Sequence, residues 1–182
     1  MGREPDRIFD EYLVVLARTG SRPALTRLVM RWSPRLQGYA ARVLGDAEAA
    51  RDVVQETWAA VVAGLGRLED PARFRAWLFG IATRRCADAQ RSAVRVRRLR
   101  AVVASEALLA VPAVAAPGER LDLAAAIARL PDDQRAAVAL FYGAGLGVGE
   151  IAGALGVAPG TVKSRLFAAR RALAEFMEGG SS

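Results

Sequence analysis

From one end of this chain to the other, apolar residues recur at intervals of three and four, and the alternation of two that a half-buried strand needs is missing. That spacing confines the fold to packed helices. The first predicted helix covers residues 7–18 and stops at Gly20. The second covers residues 22–44 and turns Leu25, Leu28, Val29, Leu36, Tyr39, Ala40 and Val43 inward, with Pro34 expected to bend or break it. Gly45 ends that helix and Asp46 can cap the third, residues 47–65, whose stripe reads Val54, Trp58, Val61, Val62 and Leu65. Glu69-Asp70-Pro71 reads as a turn, with Pro71 at the first position of a fourth helix that extends to Leu99 and faces Phe74, Trp77, Leu78 and Ile81 inward.

Between residues 101 and 119 the pattern dissolves into AVVASEALLAVPAVAAPGE, which is longer than a loop inside one compact domain. The expected fold is therefore all-α, with two small helical domains joined by a flexible linker. Residues 1–99 form the first domain, 100–119 the linker, 120–178 the second domain and 179–182 a disordered tail. The second domain opens with the short helix LDLAAAIARL, followed by a helix from Pro131-Asp132 through Phe141 and a break at GAGLG.

Composition sets limits on chemistry. Hydrophobic residues make up 53% and charged residues 25%, the balance of a globular chain. The absence of histidine removes imidazole bases, histidine-containing zinc sites and Ser-His or Cys-His nucleophile pairs. No constellation of reactive side chains replaces them, so no catalytic residue, metal site or cofactor is expected and the chain reads as a non-enzyme. Its single cysteine, Cys86, cannot form an internal disulfide, which suits a reducing cytoplasm. No apolar run reaches spanning length and the N-terminus is too charged for a signal peptide, so no membrane insertion is expected.

The net charge of +7 favours a polyanionic partner, and it is unevenly placed. Residues 71–100 carry nine arginines against one acid, Asp88, for a net +8. Residues 46–70 carry six acids against two arginines, for a net −4. Arg84, Asp88, Arg91, Arg95 and Arg98 fall at steps of four and three along one side of the fourth helix, a stripe that fits either nucleic-acid backbone contact or a plain solvated face. Asp52, Gln55 and Glu56 form a polar knob opposite Val54, Trp58 and Val61, suited to a partner's basic or amide groups or simply to water.

The strongest local signal is GVGEIAGALGVAPGTVKSRLFAARRALAEF. Residues 148–155 read as a short helix, Gly156 as the turn, Val157 as the plug between helices, and Pro159-Gly160 as the opening of a second helix running to Phe176. Val162, Leu166, Ala169 and Leu173 pack that helix down, while Thr161, Lys163, Ser164, Arg165 and Phe167 point outward. This is the pattern of a helix-turn-helix, whose second helix reads base edges in the major groove. Arg165 and Lys163 suit guanine edges or phosphates, and Thr161 and Ser164 suit phosphates.

Taken together, LQGYAARVLGDAEAARDVVQETWAAVV, FRAWLFGIATRRCADAQR and IARLPDDQRAAVALFYGAGLGVGEIAGALGVAPGTVKSRLFAARRAL resemble regions two and four of the extracytoplasmic-function sigma factors, in the right order over most of residues 22–176. The resemblance implies a sigma-2-like helical bundle and a sigma-4-like helix-turn-helix. It also implies that the chain binds bacterial RNA polymerase core and directs it to promoter DNA for transcription initiation. It makes Asp52, Gln55 and Glu56 contacts to the clamp helices of the polymerase's largest subunit. The −10 element would be held and its strands parted by the loop of residues 67–73 and the helix after it, through Arg73, Phe74, Trp77, Arg84, Arg85 and Arg91. The −35 element would be read by Thr161, Lys163, Ser164, Arg165, Phe167 and Arg170. An anti-sigma protein is a further implied partner.

Three positions depart from the pattern: Arg84 replaces a common Asn, Ala158 replaces the Ser-like cap of the recognition helix, and Ala168 replaces a common basic residue. Two other readings compete on the residues alone. One is a stand-alone helix-turn-helix regulator, for which no dimerisation helix is evident. The other is a helical module whose arginine stripe meets a membrane or an acidic protein.

Overall fold

A computed structural model of the chain describes residues 3–103 and 119–179, and every regular element among them is helical. Helix α1 is Arg3–Arg18, α2 is Arg22–Leu44, α3 is Ala47–Gly64 and α4 is Phe74–Val103. Single 3₁₀ turns at Leu65–Arg67 and Pro71–Arg73 join α3 to α4. The second unit comprises α5 (Glu119–Arg129), α6 (Asp132–Val138), a π turn (Ala139–Gly143), α7 (Val148–Leu155) and α8 (Pro159–Gly179).

Caps explain most boundaries. Ser21 Oγ accepts from Ala24 N at 3.4 Å to start α2, and Gly45 ends it in the left-handed region at φ 68°. Asp46 Oδ1 accepts from Glu48 N and Ala49 N at 2.9 and 3.1 Å to open α3. Pro34 neither breaks nor ends α2, contrary to the expectation from sequence. The proline faces solvent, and on the next turn the Arg35 guanidinium donates 3.1 Å to Arg31 O, adding a donor beside the one the ring removes. The fourth helix also overruns its expected end: no breaker follows Leu99, and α4 continues to Val103. The remaining linker, 104–118, and the tail from residue 180 lie outside the described residues.

The buried face of α3 is rotated by one position from its predicted stripe. Ala50, Val53, Thr57 and Val61 are buried, whereas Val62 is exposed and Trp58 is half-buried with its indole N–H on Ser33 Oγ at 2.9 Å. Small residues permit the close approach of α3 to α2 and α4, which pushes the large indole to the rim. Trp32 and Phe79, not assigned inward beforehand, sit at the centre, with Phe79 edge-on to both Trp32 and Tyr39.

One buried carboxylate ties α1 to the rest. Asp10, 2% exposed, accepts from Arg75 Nε and Nη2 at 2.9 and 2.7 Å. It also pairs with Arg31 Nε at 2.7 Å and accepts from Trp32 Nε1 at 3.3 Å. The second unit does not stand apart from the first. Its π turn and α6 rest on α2, α7 lies along α4, and buried Leu140, Leu146, Ile151 and Ala154 join the same apolar core as Leu28, Tyr39 and Leu78.

Candidate nucleic-acid interface

Helix α4 carries arginines all round its axis, and the structure sorts them by neighbour. Arg73 and Arg84 line a cleft of about 540 Å³ with Gly64, Arg67, Trp77 and Gly80. The floor comes from α3 and α4, and Trp77 lies over Gly64 so closely that a Cβ there would meet its ring at 3.0 Å. The rim is the short loop before α4, held by Asp70 Oδ1 accepting from Ala72 N at 2.9 Å and by Leu68, which is buried. Cationic side chains beside a partly exposed indole can grip a phosphate backbone and stack an unpaired base.

Two residues expected at that surface sit elsewhere. Phe74 is 1% exposed and packs inside the bundle against Trp77, so its ring cannot meet a base while the fold is intact. Arg85, adjacent to Arg84 in sequence, turns about 100° further round the helix and faces α3. There its Nη1 lies 3.7 Å from Glu56 Oε2, in a separate groove shared with Asp52, Asp88 and Arg97. Arg91 belongs to neither groove. It pairs with Asp88 on its own helix and lines a third cleft with Val94, Arg95, Arg98 and Asp132. Arg75, one of the nine arginines behind the local charge, is buried on Asp10 and presents no charge to a ligand.

On α3, Asp52, Gln55 and Glu56 are all exposed. They follow from the small-residue face already described: once Val53 and Thr57 point inward, positions 52, 55 and 56 must point out.

The helix-turn-helix is built as its sequence predicts. Glu150 reaches back to the Gly147 backbone N–H at 2.8 Å to start α7, Gly156 turns the chain at φ 66°, and Val157 N donates 3.1 Å to Ala152 O. Val162, Leu166 and Ala169 are buried under α8. Thr161, Lys163, Ser164, Phe167 and Arg170 are exposed along its outer face, Phe167 by 64%. Ser164 Oγ donates to Gly160 O at 3.1 Å within the helix. Arg165 departs from expectation: it is half-buried, with Nε 3.0 Å from Asp133 Oδ2 on α6. Sequence reading missed that pair, because 32 intervening residues separate its members in a fold the local pattern does not specify.

Two titrating groups near these faces respond to burial. The Cys86 thiol is pushed up to about 12 by desolvation. Tyr39 is likewise raised by burial, although its hydrogen bond with Thr83 Oγ1 at 2.8 Å opposes the shift.

Residues 28–96 match the family Sigma-70 region 2, and residues 120–173 match Sigma-70, region 4. The chain is 36% identical to the RNA polymerase sigma factor CarQ of Myxococcus xanthus, over 81% of this chain and 86% of that protein. It is 42% identical to the ECF RNA polymerase sigma factor SigL of Mycobacterium tuberculosis, over 74% of this chain and 78% of that protein. Among solved structures it resembles CnrH in complex with the cytosolic domain of CnrY, with a TM-score of 0.70 and 28% identity, covering 94% of this chain and 98% of that one. It also resembles the sigma factor RpoE of Bartonella quintana in complex with the anti-sigma factor NepR, with a TM-score of 0.70 and 27% identity, covering 84% and 96%.

Proposed function

The chain belongs to the extracytoplasmic-function sigma factors of the sigma-70 family, and from that premise we propose how its surfaces divide the work. As a sigma factor it binds RNA polymerase core and directs it to promoters. Bond-making belongs to the core enzyme, and the chain's own contribution is binding.

In the proposed division, Asp52, Gln55 and Glu56 on α3 dock on core. Arg73, Trp77 and Arg84 hold the −10 element in the cleft beside Gly80, and Thr161, Lys163, Ser164, Phe167 and Arg170 read the −35 element. The carrying observation is segregation: the acidic knob, the arginine–indole cleft and the outer face of α8 have separate linings, each exposed. Arg84 in place of a common Asn puts a full positive charge where a neutral amide would read a base, which favours phosphate grip over base discrimination at that position. Arg85 and Arg91 are reassigned, Arg85 to the edge of the core-docking groove beside Glu56 and Arg91 to an intrahelical pair.

The site of action is where chromosome and polymerase meet, the bacterial cytoplasm. The RpoE structure includes an anti-sigma factor. An inhibitory protein partner is proposed for this chain on that likeness. The decisive test is capture of purified core by the double variant Asp52→Arg with Gln55→Ala. Circular dichroism is expected to remain that of the wild type while core binding and run-off transcription are lost. Unchanged affinity for core would remove the α3 assignment.

A further inference from the structure

The cleft assigned to the −10 element is built by the first unit, yet one of its walls belongs to the second. Gly153, on α7, lines it alongside Arg67, Arg73, Trp77 and Arg84. Helix α7 reaches this position because both contact strips are almost without side chains. On α4 the strip is Ala76 and Gly80, one turn apart, and on α7 it is Gly153 and Ala154. A Cβ built on Gly80 would lie 3.5 Å from Ala154 O and 3.7 Å from Ala154 Cα, and one built on Gly153 would lie 3.4 Å from Ala76 Cβ. Gly80 and Ala154 are buried by the contact. The outer face of α8 lies away from it, and Thr161, Lys163, Ser164, Phe167 and Arg170 remain exposed.

We propose that the free chain is a half-closed reader, in which α7 seated on the Ala76–Gly80 strip masks the −10 cleft while leaving the −35 helix open. This inference rests on the assignment of the two elements made above. The latch is apolar and shape-based: among the described residues no ion pair joins α7 to α4. Raising salt therefore leaves it shut, because screening acts on charges and not on close-packed small residues. What opens it is a partner that holds the two units apart, and core engages α3 and α8 from outside the latch. Promoter reading is thereby ordered. The −35 duplex can be bound by the free chain, but single-stranded −10 DNA only once α7 has left α4.

A reversible cross-link tests this directly. The Gly153-to-Ala76 Cβ separation of 3.4 Å is at the short edge of disulfide geometry. The double variant Ala76→Cys with Gly153→Cys is oxidised, then compared with itself after reduction, using core and a genomic fragment on which wild-type holoenzyme starts transcription. The disulfide is expected to form. The oxidised protein is expected to bind duplex DNA of the upstream half of that fragment as the reduced one does, and to lose initiation until reductant restores it. An oxidised protein that initiates as well as the reduced one, or a folded protein whose two thiols never join, overturns the proposal.

The variant Gly153→Leu, which crowds the latch without touching the DNA-reading side chains, gives an independent measurement on free protein. A fold that spends at least nine-tenths of its time shut has its affinity for the open site reduced at least about tenfold. Gly153→Leu should therefore bind a single-stranded −10 oligonucleotide about tenfold more tightly than wild type, and an unchanged affinity counts against the mask. Failure of the element assignments looks different: wild-type holoenzyme would start transcription on no genomic template, whatever the state of the latch.

Discussion

Replacing Asp10 by alanine removes the one carboxylate that joins α1, α2 and α4, and the size of the loss can be worked from its three partners. The Arg75 side chain is 10% exposed and has no other acid within reach among the described residues, so it becomes a buried, uncompensated cation. Breaking a buried pair in that way costs about 3–5 kcal/mol. Arg31 adds little, since it is a quarter exposed and keeps Asp6 Oδ1 at 2.6 Å. The Trp32 indole N–H loses an acceptor, worth about 1 kcal/mol. Contributions sharing one carboxylate do not add fully, so about 4 kcal/mol is expected, a fall in Tm of roughly 8–16 °C for a chain of this size. Urea and thermal unfolding followed by circular dichroism measure it. Should Asp10→Ala prove too unstable to purify, Asp10→Asn keeps an acceptor for Trp32 and is expected to lose less. The double variant Asp10→Leu with Arg75→Met should return to within about 2 kcal/mol of wild type, because it removes both charges together. A loss below about 1 kcal/mol for Asp10→Ala would refute the keystone role.

Lys163→Ala should weaken binding to the upstream duplex across all sequences and lower the salt slope by about one unit, as expected for one phosphate contact; an unchanged slope rules that contact out. Asp133→Ala frees Arg165 from its 3.0 Å pair and removes an acid from the DNA side, so duplex affinity should rise several-fold; a fall would mean that the pair aims Arg165 at the DNA. With burial pushing its thiol up to about 12, Cys86 should resist iodoacetamide at pH 8 in the folded protein and react only on unfolding, and rapid labelling of native protein would contradict its burial.

Repetitive local signals carried well from sequence to structure. The boundaries of α2 and the turn at Gly156 follow from a serine cap, a terminal glycine and a plug residue, all within a few positions of one another. The buried stripe of α3 was read one position off, because counting favours the large Val54 and Trp58, whereas packing selected Ala50, Val53 and Thr57. Local periodicity gives a helix's inner arc but not the distance at which its neighbours will settle. The same limit hid Asp10, whose partners lie 21, 22 and 65 residues away. It also hid the seating of α7 on α4: the glycines at 80 and 153 look like mere helix weaknesses until two backbones meet there.

The charge of α4 shows why this matters for function. Counted along the sequence, residues 71–100 present nine arginines to a polyanion. In the fold, Arg75 is consumed by Asp10, Arg85 leans on Glu56 and Arg91 is held by Asp88. A phosphate can recruit a paired arginine only by displacing its carboxylate, and a buried one not at all. Among the described residues Arg73 and Arg84 have no such partner, and they are the two that share the cleft with Trp77. Selection of the −10 strand by this helix therefore rests less on total charge than on which arginines the acids have left available. Adjacent positions 84 and 85, nearly alike in a sequence count, end up serving opposite faces of the same helix.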